Sequence, residues 1–232
     1  MTLQKLDISG SDIFYALNGI RTVDGGATWT VPEEHGSFSR APFTWRNEKD
    51  LEITVCDFWP RWHARSGKLI GIGHTVVYEN NRVKPVRPRG IAYAIYNPNQ
   101  HNWSDWRTVE LPDESRFENA GAGCAQRYDL PNGDLLVPFY FKEPKSTQYS
   151  TTVMRARFEN EEIRYLEHGS ELTVPVKRGL YEPSIAKFGD RFYLTMRNDD
   201  HGYVAVSDDG LAFSEPKRWT FDDGTDLGNY NT

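Results

Sequence analysis

The chain has 232 residues, of which 38% are hydrophobic and 13% aromatic, and a formal net charge of −6. That length supports one sizeable core, and the acidic balance, with no Lys/Arg stripe, argues against nucleic acid as a partner. No apolar run approaches the roughly 18 to 20 residues of a membrane-spanning helix, and residues 1–8 lack the apolar region of a signal peptide, so no membrane partner is indicated and the compartment is left open.

In chain order, the first segment that reads as a strand is 12–20. The two strands that should precede it are missing or too short. The stretch 22–29, TVDGGATW, follows. It reads as a stapled turn: the Asp24 carboxylate can accept backbone N–H bonds, glycine supplies positive φ, and Trp29 packs under the hairpin. Three hairpins of one plan come next. Residues 59–74 (WPRWHARSGKLIGIGH), 124–140 and 182–197 each read as strand, glycine-containing turn, strand, with turn glycines Gly67, Gly133 and Gly189. Runs of β-branched and aromatic residues bounded by Gly, Asp and Asn are hairpin signals. Third strands follow at 90–96, 152–158 and 202–207, and 106–111 and 162–172 are candidate outer strands.

Four strands per unit at a fixed spacing is the sequence mark of a β-propeller blade. The expected fold is all-β, one propeller domain over 1–232 with blades at roughly 1–50, 51–115, 116–175 and 176–232. About three and a half to four blades can be counted, whereas rings have about four to eight. The expectation is therefore a partial ring, a fragment of a longer chain. An unclosed ring leaves two strand edges open to self-association.

Several residues could carry chemistry. Counting five residues on from the first apolar residue of each second strand gives His74, Tyr140 and Arg197, which puts all three on one rim. The first strands add Trp59, Arg61 and His63, then Gln126, Arg127 and Tyr128, with His63 aligned to Tyr128. A histidine that titrates near neutrality, a tyrosine and an arginine could remove a proton next to a carboxylate. Glu182 opens one strand and Arg197 closes its antiparallel partner, so both lie at one end of that hairpin; a rim salt bridge is the plain alternative. Cys56 and Cys124 are expected to be reduced, buried thiols. The basic loop 82–89 is expected to be solvated. His63 and His74 do not have a metal-ligand spacing, and no cofactor is called for.

The stretch 22–29 fits the Asp-box pattern, and residues 206–213 (VSDDGLAF) are a weaker copy with Asp208, Gly210 and Phe213 in the corresponding places. Tyr181-Glu182-Pro183-Ser184-Ile185, with Arg197 fifteen residues after Glu182, looks like the Glu-Pro hairpin of sialidases. On these motifs the chain resembles the sialidase superfamily of β-propellers over nearly all of its length. The resemblance implies a sialidase-like ring of about six or seven blades. It also implies an exo-sialidase-like glycoside hydrolase acting on acidic sugar residues. Glu182 would activate a tyrosine nucleophile, and Arg197 would be one of three arginines that clamp the substrate carboxylate with a planar fork. Arg40-Ala41-Pro42 lies after the first box, whereas the family's Arg-Ile-Pro element precedes it. Asp7 and Asp12 do not sit in the setting of a general acid, and the nucleophilic tyrosine and third arginine would lie beyond Thr232.

The segment Trp62-His63 to His74-Thr75-Val76 is similar instead to propeller-type polysaccharide lyases, such as the ulvan lyases. That likeness implies a uronate substrate, His63 or His74 with Tyr128 as acid and base, and Arg197 or Arg61 as charge stabiliser. A non-catalytic glycan-binding propeller is the third reading, since fold does not give function. In each case the partner is an oligosaccharide or polysaccharide. The catalytic candidates are Glu182, His63, His74 and Tyr128, and the substrate-binding candidates are Arg197, Arg61, Tyr140, Trp59 and Gln126.

Overall fold

The structure is a computed structural model that describes residues 1–6 and 13–228. Four antiparallel sheets follow one another along the chain. The first contains β1 (Thr2–Leu6), β2 (Phe14–Gly19) and β3 (Glu33–Glu34), in that order. A strand before β2 is thus present, with Thr2 opposite Gly19. Asp7 and Asp12 lie outside the described residues.

The second sheet holds β4 (Ala41–Trp45), β5 (Glu48–His63), β6 (Lys68–Glu79), β7 (Arg82–Val83), β8 (Ile91–Asn97), β9 (Asn102–Trp103) and β10 (Arg107–Thr108). Its main order is β10-β8-β6-β5-β4. The sequence reading began this hairpin at Trp59. The strand in fact runs 16 residues, from Glu48, and takes β4 as a further partner. Arg40, just before β4, stacks on Tyr78 with its guanidinium carbon 3.8 Å from the ring centre and donates to the Phe14 carbonyl at 2.9 Å. Its work is to tie the first two sheets together.

The third sheet contains β11 (Ala120–Gly121), β12 (Tyr128–Asp129), β13 (Asp134–Phe141), β14 (Ser150–Glu159) and β15 (Glu162–His168). Both β11 and β12 pair with β13, at opposite ends of it. The fourth sheet is β16 (Tyr181–Phe188), β17 (Arg191–Arg197), β18 (Tyr203–Ser207) and β19 (Lys217–Arg218), each paired with the next. Among the described residues no helix is long and apolar enough to cross a membrane.

The core lies between sheets rather than inside them. Ile70, Ile72 and Ile91 of the second sheet pack with Leu135, Val137, Phe139 and Met154 of the third. Leu136 and Val153 turn the other way and pack with Ile185, Leu194 and Ala205 of the fourth. Successive side chains of a strand point to opposite faces. Every residue of β13 is buried, so both faces of that strand are covered. This is why its sequence, DLLVPFYF, is a continuous apolar run and not an alternating one. A smaller cluster of Leu17, Phe38, Val55, Phe58 and Trp103 joins the first sheet to the second. Sheets stacked face to face in this way are the internal construction of a propeller.

The turn at 22–29 is stapled largely as its sequence predicts. Asp24 accepts from the Thr28 amide at 2.9 Å and the Thr28 hydroxyl at 2.6 Å, and these bonds hold its carboxyl well below the ordinary aspartate range. Trp29 differs from expectation: it stays 46% exposed and donates its indole N–H to the Gly26 carbonyl. In the weaker copy the acceptor is Asp209, which takes the amides of Leu211 and Ala212 at 2.8 Å. Asp208, the residue the sequence alignment favoured, points to solvent. Ser207 bonds Asp209 two residues on, just as Thr22 bonds Asp24, and that pairing gives the correct alignment.

Candidate functional site

Two of the three hairpins share a local device. The β5–β6 register slips between Cys56 and Trp59, and the β16–β17 register slips between Tyr181 and Ser184. These are β-bulges. In each, one non-glycine residue adopts a left-handed φ: +52° at Asp57 and +48° at Glu182. Cys124, just before β12, has φ +57°. Such backbone costs an L-residue on the order of 1 kcal/mol and collects at functional sites. The bulge matters because it re-aims a side chain. It turns Glu182 toward Arg197, and their 2.7 Å salt bridge leaves each side chain about one quarter exposed. It turns Asp57 toward His74, with Oδ2 3.7 Å from Nε2.

Arg197 ends β17, Tyr140 is the last but one residue of β13 and His74 lies midway along β6, and the structure brings the three toward one rim. The rings of His74 and Tyr140 are 6.2 Å apart, Tyr140 lies 6.2 Å from Tyr181, and the Arg197 guanidinium sits 5.1 Å from the Tyr181 ring. Burial, reinforced by Arg89 and Arg87, pushes His74 well below the usual histidine range, so its imidazole is neutral. Burial likewise pushes the Tyr140 phenol up, against the pull of Arg89. Tyr181 donates to Asp199 at 2.6 Å, and Arg178 grips the same carboxylate through two nitrogens.

The other candidates are elsewhere. His63 lies at the turn end of its hairpin, opposite Lys68, where it bonds the Ser66 hydroxyl at 2.7 Å and the Gly133 carbonyl at 2.9 Å. Arg61 donates to the Arg127 carbonyl at 2.5 Å, while Arg127 donates to the carbonyls of Arg61 and Ile70 and to Asp129. That cross-linking clamps the second sheet to the third. Tyr128 packs edge-on against Phe192. Trp59 is half exposed on β5, and Gln126 is exposed with its backbone bonded to Ile185 and Ser184. The alignment of His63 with Tyr128 is therefore off by two. Arg61 faces Ile70 and Tyr128 faces Leu136, each four residues before the rim residue of its second strand. The cause is turn length. His63 pairs with Lys68 across four residues, whereas in the Tyr128 hairpin Leu130 donates to Asp134 across three.

Asp57, Arg89 and Cys124 went unread as site residues. Counting back from His74 with the longer turn included would have found Asp57. Arg89, in the loop expected to be solvated, is buried, its guanidinium carbon 5.0 Å from the Tyr140 ring centre. Cys124 is exposed, not buried; both cysteines are free thiols. The crowding around its sulfur, followed by the charges of Asp57 and Glu182, raises its pKa well above the ordinary thiol value.

No family model and no curated protein matches this sequence. Solved structures do. The Hadza microbial sialidase Hz136 superposes with a TM-score of 0.65 at 14% identity, over 92% of this chain and 43% of that one. The fold is that of a partial sialidase-like β-propeller. The sialidase of Trypanosoma rangeli in complex with sialic acid gives a TM-score of 0.58 at 14% identity, over 86% of this chain and 32% of that one. Its complex with 2,3-difluorosialic acid, a covalent intermediate, gives 0.60 at the same identity. The chain thus spans less than half the length of these sialidases. At such identity the likeness is one of fold, and chemistry has to be argued from the rim of this sialidase-like propeller itself.

Proposed function

We propose that the chain carries part of the substrate rim of a glycoside hydrolase of the sialidase superfamily acting on acidic sugar residues. The observation that carries this reading is the Glu182–Arg197 pair, a carboxylate held by a left-handed bulge against a half-buried guanidinium. Arg197 Nε is buried with no hydrogen-bond partner, so the guanidinium keeps unused donor capacity. A planar fork of donors suits the carboxylate of an acidic sugar, and a bound sugar carboxylate would compete with Glu182 for it. Glu182, released in part, is then the base that activates a nucleophile or a water. Neutral His74 and Tyr140 complete the rim, and Arg89 adds a second cation behind Tyr140.

The lyase reading loses support from the placement of His63 and Tyr128, since the first is tied up at the opposite hairpin end and the second is packed on Phe192. The deciding experiment is mass spectrometry of products from sialylated and uronate-containing oligosaccharides. Products whose summed mass gains one water support hydrolysis. Cleavage to an unsaturated end without that gain moves the chemistry to elimination by His74. Binding with no cleavage leaves a glycan-binding propeller.

A further inference from the structure

Cys56, Asp57 and His74 converge on one point, and of the three the rim chemistry above uses only His74. The Cys56 sulfur lies 3.2 Å from His74 Nε2 and 3.9 Å from Asp57 Oδ2, and the third side of the triangle, Asp57 Oδ2 to His74 Nε2, is 3.7 Å. Consecutive residues of a regular strand point to opposite faces, so Cys56 and Asp57 should not share a partner. They do so because the bulge at Asp57, with φ +52°, turns the carboxylate back to the side of the sulfur. The ring between them has no freedom to leave. A Cβ on Gly123 would lie 1.9 Å from His74 Nδ1, so the imidazole rests on bare backbone.

We propose that Cys56, Asp57 and His74 form a binding site for a soft divalent metal ion of the zinc class. Thiolate, imidazole and carboxylate are the donors zinc takes, at about 2.3, 2.0 and 2.1 Å, and a tetrahedral ion with those bonds has ligand-to-ligand edges of about 3.3 to 3.6 Å. The triangle of 3.2, 3.7 and 3.9 Å is close to one face of that tetrahedron. A sulfur and a nitrogen among three donors select against calcium and magnesium, which take oxygen ligands. Cys56 and His74 are buried while the Asp57 side chain is 25% exposed, so the ion enters past Asp57. Three protein ligands leave the fourth position to a solvent or sugar oxygen. Binding displaces the Cys56 thiol proton to solvent, with no redox change. The site does not depend on the hydrolase reading, and metal alone tests it.

Cobalt(II) is the probe. Protein stripped with chelator and titrated with Co²⁺ is expected to develop a sulfur-to-cobalt charge-transfer band in the near ultraviolet and the strong visible absorption of tetrahedral cobalt, at one ion per chain, both bleached by Zn²⁺. Cys56→Ser should abolish the charge-transfer band. His74→Gln and Asp57→Asn should each weaken Zn²⁺ binding by calorimetry about tenfold or more, on the scale by which metal sites respond to lost ligand support. Cys124→Ser should keep the band. Absence of the band in the native protein overturns the site, as does a band that survives in folded Cys56→Ser or disappears in Cys124→Ser. Should Cys56→Ser fail to fold, unchanged Zn²⁺ affinity in Asp57→Asn, whose side chain reaches solvent, overturns it equally.

Discussion

The two ends of the same hairpins make different use of similar residues. At the turn end, His63 has both ring nitrogens engaged, and Arg127 spends its guanidinium on two backbone carbonyls and Asp129. At the rim end, His74 keeps a buried nitrogen without a hydrogen bond, and so does Arg197. Histidine and arginine thus staple at one end and stay chemically available at the other. For these four residues identity does not separate the two positions; satisfaction of the polar atoms does. A buried polar group left unbonded costs roughly 1–3 kcal/mol.

This contrast can be broken in graded ways. The largest effect should come from Glu182→Gln. It removes the proposed base while nearly keeping shape, and is expected to lower kcat/KM on an acidic glycan by about 10²- to 10⁴-fold, the usual share of a general base, with the melting temperature barely moved. Equal loss of activity and stability would mean that Glu182 is only a rim salt bridge. At the staple end, Arg127→Met should do the reverse. It strands Asp129 and two carbonyls, and chemical denaturation should read a loss of about 3 kcal/mol.

Gly123→Ala joins the two ends of the comparison. The added methyl would meet His74 Nδ1 at 1.9 Å and Asp57 Cβ at 3.0 Å, so a loss of about 1–3 kcal/mol is expected from overpacking, and rim function should fall with it. His63→Ala should cost about 2 kcal/mol for its lost hydrogen bonds and packing, and leave glycan turnover within about twofold. The smallest effect is at Asp199. Its carboxyl is held well below the ordinary range, first by Arg178 and also by the Tyr181 hydroxyl. A depressed folded value adds stability above the unfolded pKa of about 3.9 and loses it as pH falls toward the folded value. Asp199→Asn should therefore be less stable than the native chain at pH 7 by about 1 kcal/mol or less, and the gap should close in acid. A gap that persists below about pH 2 would point to lost packing instead of lost charge.

The fold was legible because its signals are local. Gly67, Gly133 and Gly189 do sit in hairpin turns with left-handed φ, and the third strands expected at 90–96, 152–158 and 202–207 correspond to β8, β14 and β18. The extended strand from Glu48 was not read, because residues 48–53 alternate weakly and four of them are exposed and charged. Among the site residues, the convergence of His74, Tyr140 and Arg197 followed from counting along second strands, whose register is regular. The first strands misled, because turn length differs between hairpins and a bulge shifts the count.

What the sequence determined by itself, then, is the repeat: hairpin, third strand, outer strand, with apolar runs sized for burial on both faces and an Asp-stapled turn. Period and turn chemistry act over a few residues, so they can be read without knowing the neighbours. Only the tertiary structure decided that Asp57 faces His74 and Cys56, that Arg89 leaves its basic loop to lie on Tyr140, and that His63 is a staple. Each of those depends on which sheet stacks on which, and on a bulge that re-aims a side chain by one backbone angle, information that no spacing in the chain carries.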